Sequence, residues 1–176
     1  MKRLAFIGAG AALGFVAYAL FFCGQPSCLN GTAYAVFSPN SDDAILPLLD
    51  SAKTSIDVEL YQFSNPDFKQ SLANAAYRGV KVRVILEPRV DSNYETASFL
   101  ADRGVEVRWA TLDFTNTHSK YAVIDGETVI VGSANWSKHA MESNREAGVV
   151  VQDARIAQDF SAAFGEDWLA GQQVAS

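Results

Sequence analysis

Residues 120–132 read KYAVIDGETVIVG, and this stretch decides how the chain folds. Two runs of apolar and β-branched residues, Tyr121 to Ile124 and Thr128 to Val131, flank the dipeptide Asp125-Gly126. Asp-Gly between two such runs is a strong hairpin signal, because both residues tolerate the positive φ angles of a two-residue turn. The stretch therefore predicts two neighbouring antiparallel strands.

Around this hairpin, short apolar runs alternate with longer helical patterns. Further strands are predicted at residues 34–37, 56–63, 80–86, 105–109 and 147–151. Helices are predicted from Asp42 or Asp43 to about Thr54, from Pro66 to Gly79, from Tyr94 to Asp102 and from Arg155 to Leu169. Strands that alternate with helices indicate an α/β domain with a mixed β-sheet flanked by helices.

The N-terminus carries a membrane-targeting segment. Lys2 and Arg3 precede an uncharged apolar run from Leu4 to Cys23, which is long enough to span a bilayer as a helix. Residues 1–24 are interpreted as an uncleaved membrane anchor or as a signal segment cleaved near residues 33–35. Both basic residues precede the apolar run, so the protein is expected to be membrane-anchored or secreted, with its folded domain periplasmic or extracellular.

The composition is that of a folded protein with an extensive core. Of 176 residues, 49% are hydrophobic and 19% are charged, and the net charge is -6. This balance argues against a generally basic protein that coats nucleic acid, although it is compatible with a local basic patch. The predicted organisation after the apolar segment is a linker over 25–33, a folded domain over 34–170 and a frayed tail over 171–176.

Cys23 and Cys28 are the only cysteines of the chain. They form either a local disulfide in an oxidising compartment or two unpaired thiols where the apolar run ends. Neither the cysteines nor any His-rich or Asp-rich run has the spacing of a metal site. The sequence therefore predicts neither a metal site nor a cofactor.

The residues that carry chemistry are concentrated around the hairpin. Residues 118–135 read HSKYAVIDGETVIVGSAN and match the pattern H-x-K-x4-D-x6-G-S-x-N at each specified position: His118, Lys120, Asp125, Gly132, Ser133 and Asn135. Side chains two apart on a strand share a face, so His118 and Lys120 are expected to point the same way. A neutral imidazole can attack phosphorus while Lys120 and Asn135 donate to the non-bridging oxygens.

This pattern resembles that of the phospholipase D superfamily, the HKD phosphodiesterases. The likeness extends from about Tyr34 to Trp168 and is strongest for the small single-motif branch of Nuc-like and Zucchini-like endonucleases, which residues 51–56 and 144–146 also resemble. The resemblance implies a phospholipase D-like fold and metal-independent phosphodiesterase chemistry through a phosphohistidine intermediate. It also implies that Asp125 is structural rather than reactive.

Supporting roles are predicted for residues near His118. Ser133 is expected to donate to the substrate anion from the tight turn after Gly132, the alternative being an ordinary turn serine. Glu146 is the candidate acceptor for the second imidazole nitrogen, the alternative being a solvated carboxylate. Tyr61 and Trp136 are interpreted either as groove-lining or as core residues.

Two imidazoles are needed if one attacks phosphorus and another protonates the leaving oxygen. His139 lies outside any second H-x-K pattern and is predicted to be a surface residue. A twofold homodimer would supply a second His118, together with a second Lys120 and Asn135. The predicted function is an endonuclease on DNA or RNA; the alternatives are a phospholipase D acting on membrane phospholipid head groups and an inactive membrane-tethered binding module.

Overall fold

Eight strands and five helices occur along residues 31–174, the part of the chain that the computed structural model describes. The strands are β1 (Thr32–Phe37), β2 (Ser55–Leu60), β3 (Lys81–Leu86), β4 (Glu106–Trp109), β5 (Lys120–Ile124), β6 (Thr128–Gly132), β7 (Ala147–Gln152) and β8 (Gln172–Gln173). The helices are α1 (Asp42–Ser51), α2 (Pro66–Tyr77), α3 (Ser92–Ala101), α4 (Lys138–Glu142) and α5 (Ala154–Ala170). Among them, none is long and apolar enough to cross a membrane. The predicted apolar helix over residues 1–24, with Cys23 and Cys28, lies outside the described residues.

All eight strands join in one sheet in the order β1-β7-β6-β5-β2-β3-β4-β8. Strands β2, β3 and β4 run parallel to one another, and α2 and α3 form the two crossover connections that parallel neighbours require. The other pairs are antiparallel. The mixed α/β sheet flanked by helices, predicted from the sequence, is therefore confirmed.

Apolar side chains cover both faces of the sheet. On one face, Val58 and Leu60 of β2 belong to a core that includes residues of α1, α2 and α3. On the other face, Val123 of β5 packs with Phe164 and Trp168 of α5. Because both faces are covered, the groups that remain accessible for chemistry lie at the ends of the strands.

The hairpin between β5 and β6 forms as predicted. Tyr121 pairs with Val131, and the turn residues Asp125 and Gly126 have φ angles of 54° and 66°. Two consecutive positive φ angles are typical of a type I′ turn, whose twist matches that of the flanking strands. The turn therefore fixes the register that brings Lys120 and Gly132 to the same end of the hairpin, opposite the turn.

Helix α1 ends at Ser51, before the predicted end at Thr54. The reason is the Asp125 carboxylate, which accepts hydrogen bonds from the backbone N–H groups of Lys53, Thr54 and Ser55 at 3.1, 2.8 and 3.0 Å. These amides bond to the hairpin turn instead of continuing the helix. Strand β2 therefore begins directly at Ser55.

Both ends of the domain add strand residues that the sequence does not predict. Strand β1 begins at Thr32, inside the predicted linker, where Thr32 pairs with Gln152 of β7. Residues 171–176 are predicted to fray, yet Gln172–Gln173 pair with β4 as strand β8. The open edge of β4 presents unpaired backbone groups, and this short strand satisfies some of them.

Candidate active site

His118 and Lys120 are adjacent at the open end of the β5–β6 hairpin. Lys120 Nζ lies 3.2 Å from His118 Nδ1 and donates to the His118 carbonyl oxygen at 2.9 Å. The His118 side chain is exposed, and Lys120 is half-buried. Burial lowers the pKa of Lys120, while the negative charge of Glu146 opposes this shift. An incoming anion would stabilise the ammonium, since it is already partly stripped of water.

Tyr61, which directly follows β2, supports both of these side chains. Its ring centroid lies 4.4 Å from that of His118, and Lys120 Nζ lies 5.2 Å from the Tyr61 centroid. The Tyr61 backbone N–H donates to the Ser119 carbonyl oxygen at 2.9 Å, which joins the end of β2 to the residue between His118 and Lys120. Contact between the ring face and the ammonium is favourable by about 0.5–1 kcal/mol where solvent is near.

The sequence leaves open whether Tyr61 and Trp136 line the groove or belong to the core, and the structure gives a different answer for each. Trp136 is only 3% exposed and packs against Phe63 and Phe68, with ring centroids 5.3 and 4.7 Å away. It is a core residue. Tyr61, in contrast, is half-buried against His118 and belongs to the site.

A buried glutamate that the sequence analysis missed fixes the loop before His118. Glu87 follows β3 and is fully buried. Its Oε2 atom accepts a hydrogen bond from the Thr117 backbone N–H at 2.7 Å, and its Oε1 atom accepts one from Arg89 Nη1 at 2.8 Å. The one available signal was a charged residue directly after the apolar run Val84 to Leu86, because an unpaired buried carboxylate would be costly.

Gly132 closes the other strand of the hairpin where it meets β7. A Cβ atom at Gly132 would lie 2.7 Å from the Ala147 carbonyl oxygen and 2.7 Å from Gly148 Cα. Only glycine allows this close approach between the strands. The next residue, Ser133, donates its backbone N–H to the Ala147 carbonyl oxygen at 2.9 Å.

Glu146 makes contacts that differ from the predicted one. Its Oε2 atom accepts from Ser133 Oγ at 2.5 Å and its Oε1 atom accepts from Asn144 Nδ2 at 2.8 Å. Within residues 31–174, it makes no hydrogen bond to the His118 ring, so the predicted contact is not present in a single chain. Hydrogen bonds from Ser133 and Asn144 lower the pKa of Glu146, burial raises it, and the Lys120 charge lowers it further, so the carboxylate is ionised.

The role predicted for Ser133 changes accordingly. A serine hydroxyl has a single hydrogen to donate, and in this arrangement Ser133 gives it to Glu146. The same oxygen accepts from the Ala147 backbone N–H at 3.1 Å. Ser133 therefore orients the Glu146 carboxylate here instead of offering its hydroxyl to an anion.

Ser38, a second residue that the sequence analysis missed, anchors the segment around Glu146. It follows β1 and is 1% exposed. Its Oγ atom donates to the Asn144 carbonyl oxygen at 2.7 Å and accepts from the Glu146 backbone N–H at 2.7 Å. A serine more than a hundred positions away in the chain gives no local sequence signal for such a contact.

Asn135 lies two residues after Ser133, beside an open cleft of about 510 Å³. Its Oδ1 atom is buried and has no hydrogen-bond partner in the part of the chain that the structure describes. Helix α4 forms one wall of this cleft and begins after Ser137, which caps the helix by accepting from the Ala140 backbone N–H at 3.2 Å. The sequence analysis missed this helix, because its five residues are too few to establish a helical pattern. His139, on α4, is exposed as predicted.

Asp125 lies at the opposite end of the hairpin from His118. Besides the three backbone N–H groups already described, the Thr54 hydroxyl donates to its Oδ1 atom at 2.8 Å. Burial raises the pKa of Asp125, but the hydrogen bonds from Ser55, Thr54 and Lys53 outweigh this and the net shift is downward. Over residues 31–174, no three His, Cys, Asp or Glu side chains come close enough to hold a metal ion.

The sequence matches the family model described as "Cardiolipin synthase, PLD-like domain" over residues 45–168. It is 32% identical over 162 residues to a mitochondrial cardiolipin hydrolase of Xenopus tropicalis, covering 85% of this chain and 75% of that protein. It is 30% identical over 129 residues to the Danio rerio mitochondrial cardiolipin hydrolase, covering 70% of this chain. The match spans only 55% of the Danio rerio protein and 59% of a Mus musculus protein with the same name.

Two solved structures share the fold over nearly their whole length. Nuc from Salmonella typhimurium, described as a phospholipase D family member, superposes with a TM-score of 0.78 at 29% identity, covering 84% of this chain and 100% of Nuc. NucT from Helicobacter pylori superposes with a TM-score of 0.75 at 22% identity, covering 81% of this chain and 99% of NucT. The fold around the His118 site is therefore that of phospholipase D-like proteins.

Proposed function

The chain belongs to the phospholipase D-like family, whose domain covers residues 45–168, and on this basis we propose that it is a phosphodiesterase that cleaves DNA or RNA. The observation that carries the proposal is the adjacency of His118 and Lys120, with Nδ1 and Nζ 3.2 Å apart at an exposed end of the sheet. An imidazole next to a cation suits attack on a phosphodiester, because negative charge accumulates on the non-bridging oxygens during the reaction.

In the proposed reaction, Nε2 of His118 attacks phosphorus, so that a P–N bond forms as the P–O bond to the leaving oxygen breaks. The leaving oxygen takes a proton from a second imidazole, which then removes a proton from water. The activated water attacks phosphorus, the P–N bond breaks and free His118 is restored. Lys120 and Asn135 donate to the phosphate oxygens, Ser133 holds Glu146, and neither a metal nor a cofactor takes part.

The proposal includes a twofold homodimer, and the tautomer of His118 is the reason. If the Lys120 ammonium donates to Nδ1, the ring hydrogen is on Nε2, which then has no lone pair for attack. A carboxylate acceptor at Nδ1 would reverse the tautomer. We propose that Glu146 of the partner subunit provides it, since a carboxylate that accepts one hydrogen bond on each oxygen has further lone pairs.

Mixing experiments test whether the site needs two copies of His118. Wild-type protein is allowed to exchange subunits with increasing amounts of His118→Ala protein, and activity is expressed per wild-type subunit. At equal amounts this value is expected to halve, because half of the wild-type subunits then sit in dimers that lack the second imidazole. A value that stays constant would contradict the shared site.

Nucleic acid is the proposed substrate because the sequence resembles the Nuc-like endonucleases and the chain superposes on the whole of the solved Nuc structure at 29% identity. A second candidate substrate is a phospholipid head group. Two observations favour it: the matched relatives are named mitochondrial cardiolipin hydrolases, and Leu112 and Phe114 are 61% and 54% exposed in the loop that leads to His118. Exposed apolar side chains beside a site suit contact with lipid.

A parallel assay separates these functions. Purified protein is incubated with single-stranded DNA, double-stranded DNA, RNA and cardiolipin vesicles, each with excess chelator, and with His118→Ala protein as the control. The proposal expects chelator-resistant cleavage of at least one nucleic acid that is lost in the variant. Hydrolysis of the lipid alone would support the second candidate, and no hydrolysis of any substrate would support an inactive binding module.

The cellular location is part of the proposal as well. We propose that residues 1–24 attach the protein to a membrane, with the catalytic domain on the periplasmic or extracellular side. Protease added to spheroplasts, from which the outer membrane and cell wall have been removed, would then degrade the domain. A domain protected until the spheroplasts are lysed would contradict this orientation.

A further inference from the structure

The open cleft beside Asn135 has several lining residues, among them Lys138 and His139, that the proposed reaction at His118 does not use. The cleft has a volume of about 510 Å³, and its walls include Gln62, Ser64, Asn135, Lys138 and His139. It adjoins the candidate site through Asn135 and through Asn144, which lines the cleft and donates to Glu146. The cleft is therefore available to a part of the substrate that lies beyond the reacting phosphate.

Two side chains in this cleft have unused hydrogen-bonding capacity and can bind an anion. Lys138 and His139 are exposed, and neither side chain forms an ion pair or a hydrogen bond with any residue from 31 to 174. Some other basic side chains of the domain are paired, as Arg83 is with Asp57 at 2.7 Å and Lys69 with Glu95 at 3.1 Å. In a protein of net charge -6, the Lys138 ammonium and the His139 imidazole beside Asn135 form a local binding site for an anion.

The cleft also contains an acceptor that lacks a donor. The Oδ1 atom of Asn135 is buried and accepts no hydrogen bond from residues 31–174, and such an atom normally bonds to a ligand or to water. A ligand that fills the cleft should therefore carry both an anion for Lys138 and a donor for Asn135. A nucleotide has both, because its phosphate accepts hydrogen bonds and its base or sugar donates them.

The polar walls argue against a lipid tail in the same place. An acyl chain needs an apolar cavity, whereas amide, hydroxyl, ammonium and imidazole groups line this cleft. The more apolar cavity that Lys120 and Glu146 help to line has a volume of only about 30 Å³, against about 510 Å³ for this cleft.

We infer that the cleft binds the nucleotide next to the scissile phosphate of a polynucleotide strand, with Lys138 and His139 contacting its backbone phosphate. The inference rests on the proposed phosphodiesterase function and specifies its substrate as an extended strand. Contacts to phosphate do not depend on base sequence, so the cleft contributes affinity and strand register without sequence preference.

The test compares a long and a short substrate in full-length protein. A single-stranded DNA 20-mer and its RNA counterpart extend through the cleft, whereas bis(p-nitrophenyl) phosphate occupies only the reacting position. In Lys138→Ala, the ratio of kcat/KM for the oligonucleotide to kcat/KM for the small diester is expected to fall about tenfold. The slope of log KM against log salt for the oligonucleotide should become shallower by about 0.7, the value for one phosphate contact on a single strand.

Lys81→Ala is the matched control, because Lys81 is also an exposed lysine but lies at the start of β3, at the opposite end of the sheet. It is expected to change neither the ratio nor the slope. The inference is overturned if Lys138→Ala behaves like Lys81→Ala, or if wild-type protein hydrolyses the diester but neither oligonucleotide. It is also overturned if Lys138→Ala reduces hydrolysis of cardiolipin vesicles only, because the cleft would then bind lipid. Failure of the wild-type protein to hydrolyse any of these substrates would instead refute the proposed function.

Discussion

The two ends of the β5–β6 hairpin use the same kinds of polar groups for different purposes. At the turn, the Asp125 carboxylate accepts hydrogen bonds from three consecutive backbone amides and one hydroxyl. At the open end, His118 is exposed and the Oδ1 atom of Asn135 has no hydrogen-bond partner among the described residues. Satisfied polar groups hold the fold together, whereas groups left with unused capacity are available to a substrate. The hairpin thus separates stability from chemistry along one strand.

The two ends of the β5–β6 hairpin are also far apart in space. Strand β5 has five residues, so its two ends are roughly 17 Å apart at about 3.4 Å per residue. Substitutions at the turn should therefore change the free energy of unfolding with little effect on the reaction. Substitutions at the open end should lower the reaction rate with little effect on the free energy of unfolding.

The largest effect is expected for His118→Ala. Loss of the nucleophile should lower kcat for a small phosphodiester by about 10⁴-fold or more, since the covalent route is closed. The melting temperature should change little, because the His118 side chain is exposed. Initial rates and thermal melts of the same preparation measure both quantities, and a variant that kept a tenth of the wild-type rate would contradict the assignment.

Lys120→Met is expected to have the next largest effect. Methionine keeps most of the side-chain volume but removes the charge that stabilises the phosphate oxygens, so kcat should fall about 10²–10³-fold. The packing against Tyr61 is largely retained, and the protein should remain folded. Steady-state kinetics give the result, and a variant altered only in KM would show that Lys120 binds the substrate and the transition state equally strongly.

Asp125→Ala should instead destabilise the fold. It leaves the amides of Lys53, Thr54 and Ser55 without their acceptor, and we expect the free energy of unfolding to fall by about 2 kcal/mol. Urea denaturation measures this change, and Asp125→Asn, which keeps one acceptor oxygen, should lose less. The kcat of the folded fraction should stay within about threefold of wild type, and a loss comparable to that of His118→Ala would disprove the separation of the two ends.

The smallest predicted effect concerns the pH dependence of stability. The pKa of Asp125 is lowered in the folded protein, so its ionised form adds stability above the pKa of the unfolded chain, about 4, and this contribution disappears as pH falls through the lower folded value. The stability difference between wild type and Asp125→Asn should therefore be constant near neutral pH and shrink below about pH 4. Urea denaturation at several pH values checks this, and a difference that grew towards acid pH would contradict it.

Local patterns were sufficient for the hairpin and for the His118–Lys120 pair. The turn residues Asp125 and Gly126 specify their own backbone angles, and the two-residue spacing alone aligns the reactive side chains. The boundary of α1 was not predictable in this way, because the group that ends the helix is the Asp125 carboxylate, about seventy positions later.

The positions of Glu146 and of the loop before His118 depend on contacts between distant parts of the chain. Ser38 reaches the segment around Glu146 from the end of β1, and Glu87 holds the loop before His118 from the end of β3. Neither residue belongs to a local pattern, and both are polar groups that become informative only when their burial is known. The sequence therefore predicted the chemistry of the site more completely than the residues that position it.

Trapping the covalent intermediate tests the central proposal most directly. An end-labelled oligonucleotide is mixed with excess enzyme and chelator, the reaction is stopped within one turnover in alkaline denaturant, where a P–N bond survives, and the protein is digested and analysed by mass spectrometry. We expect a nucleotide fragment attached to the peptide that contains His118, lost on acid treatment and missing in His118→Ala. Cleavage of the oligonucleotide at full rate with no label on the protein, or with the label on another residue, would contradict it.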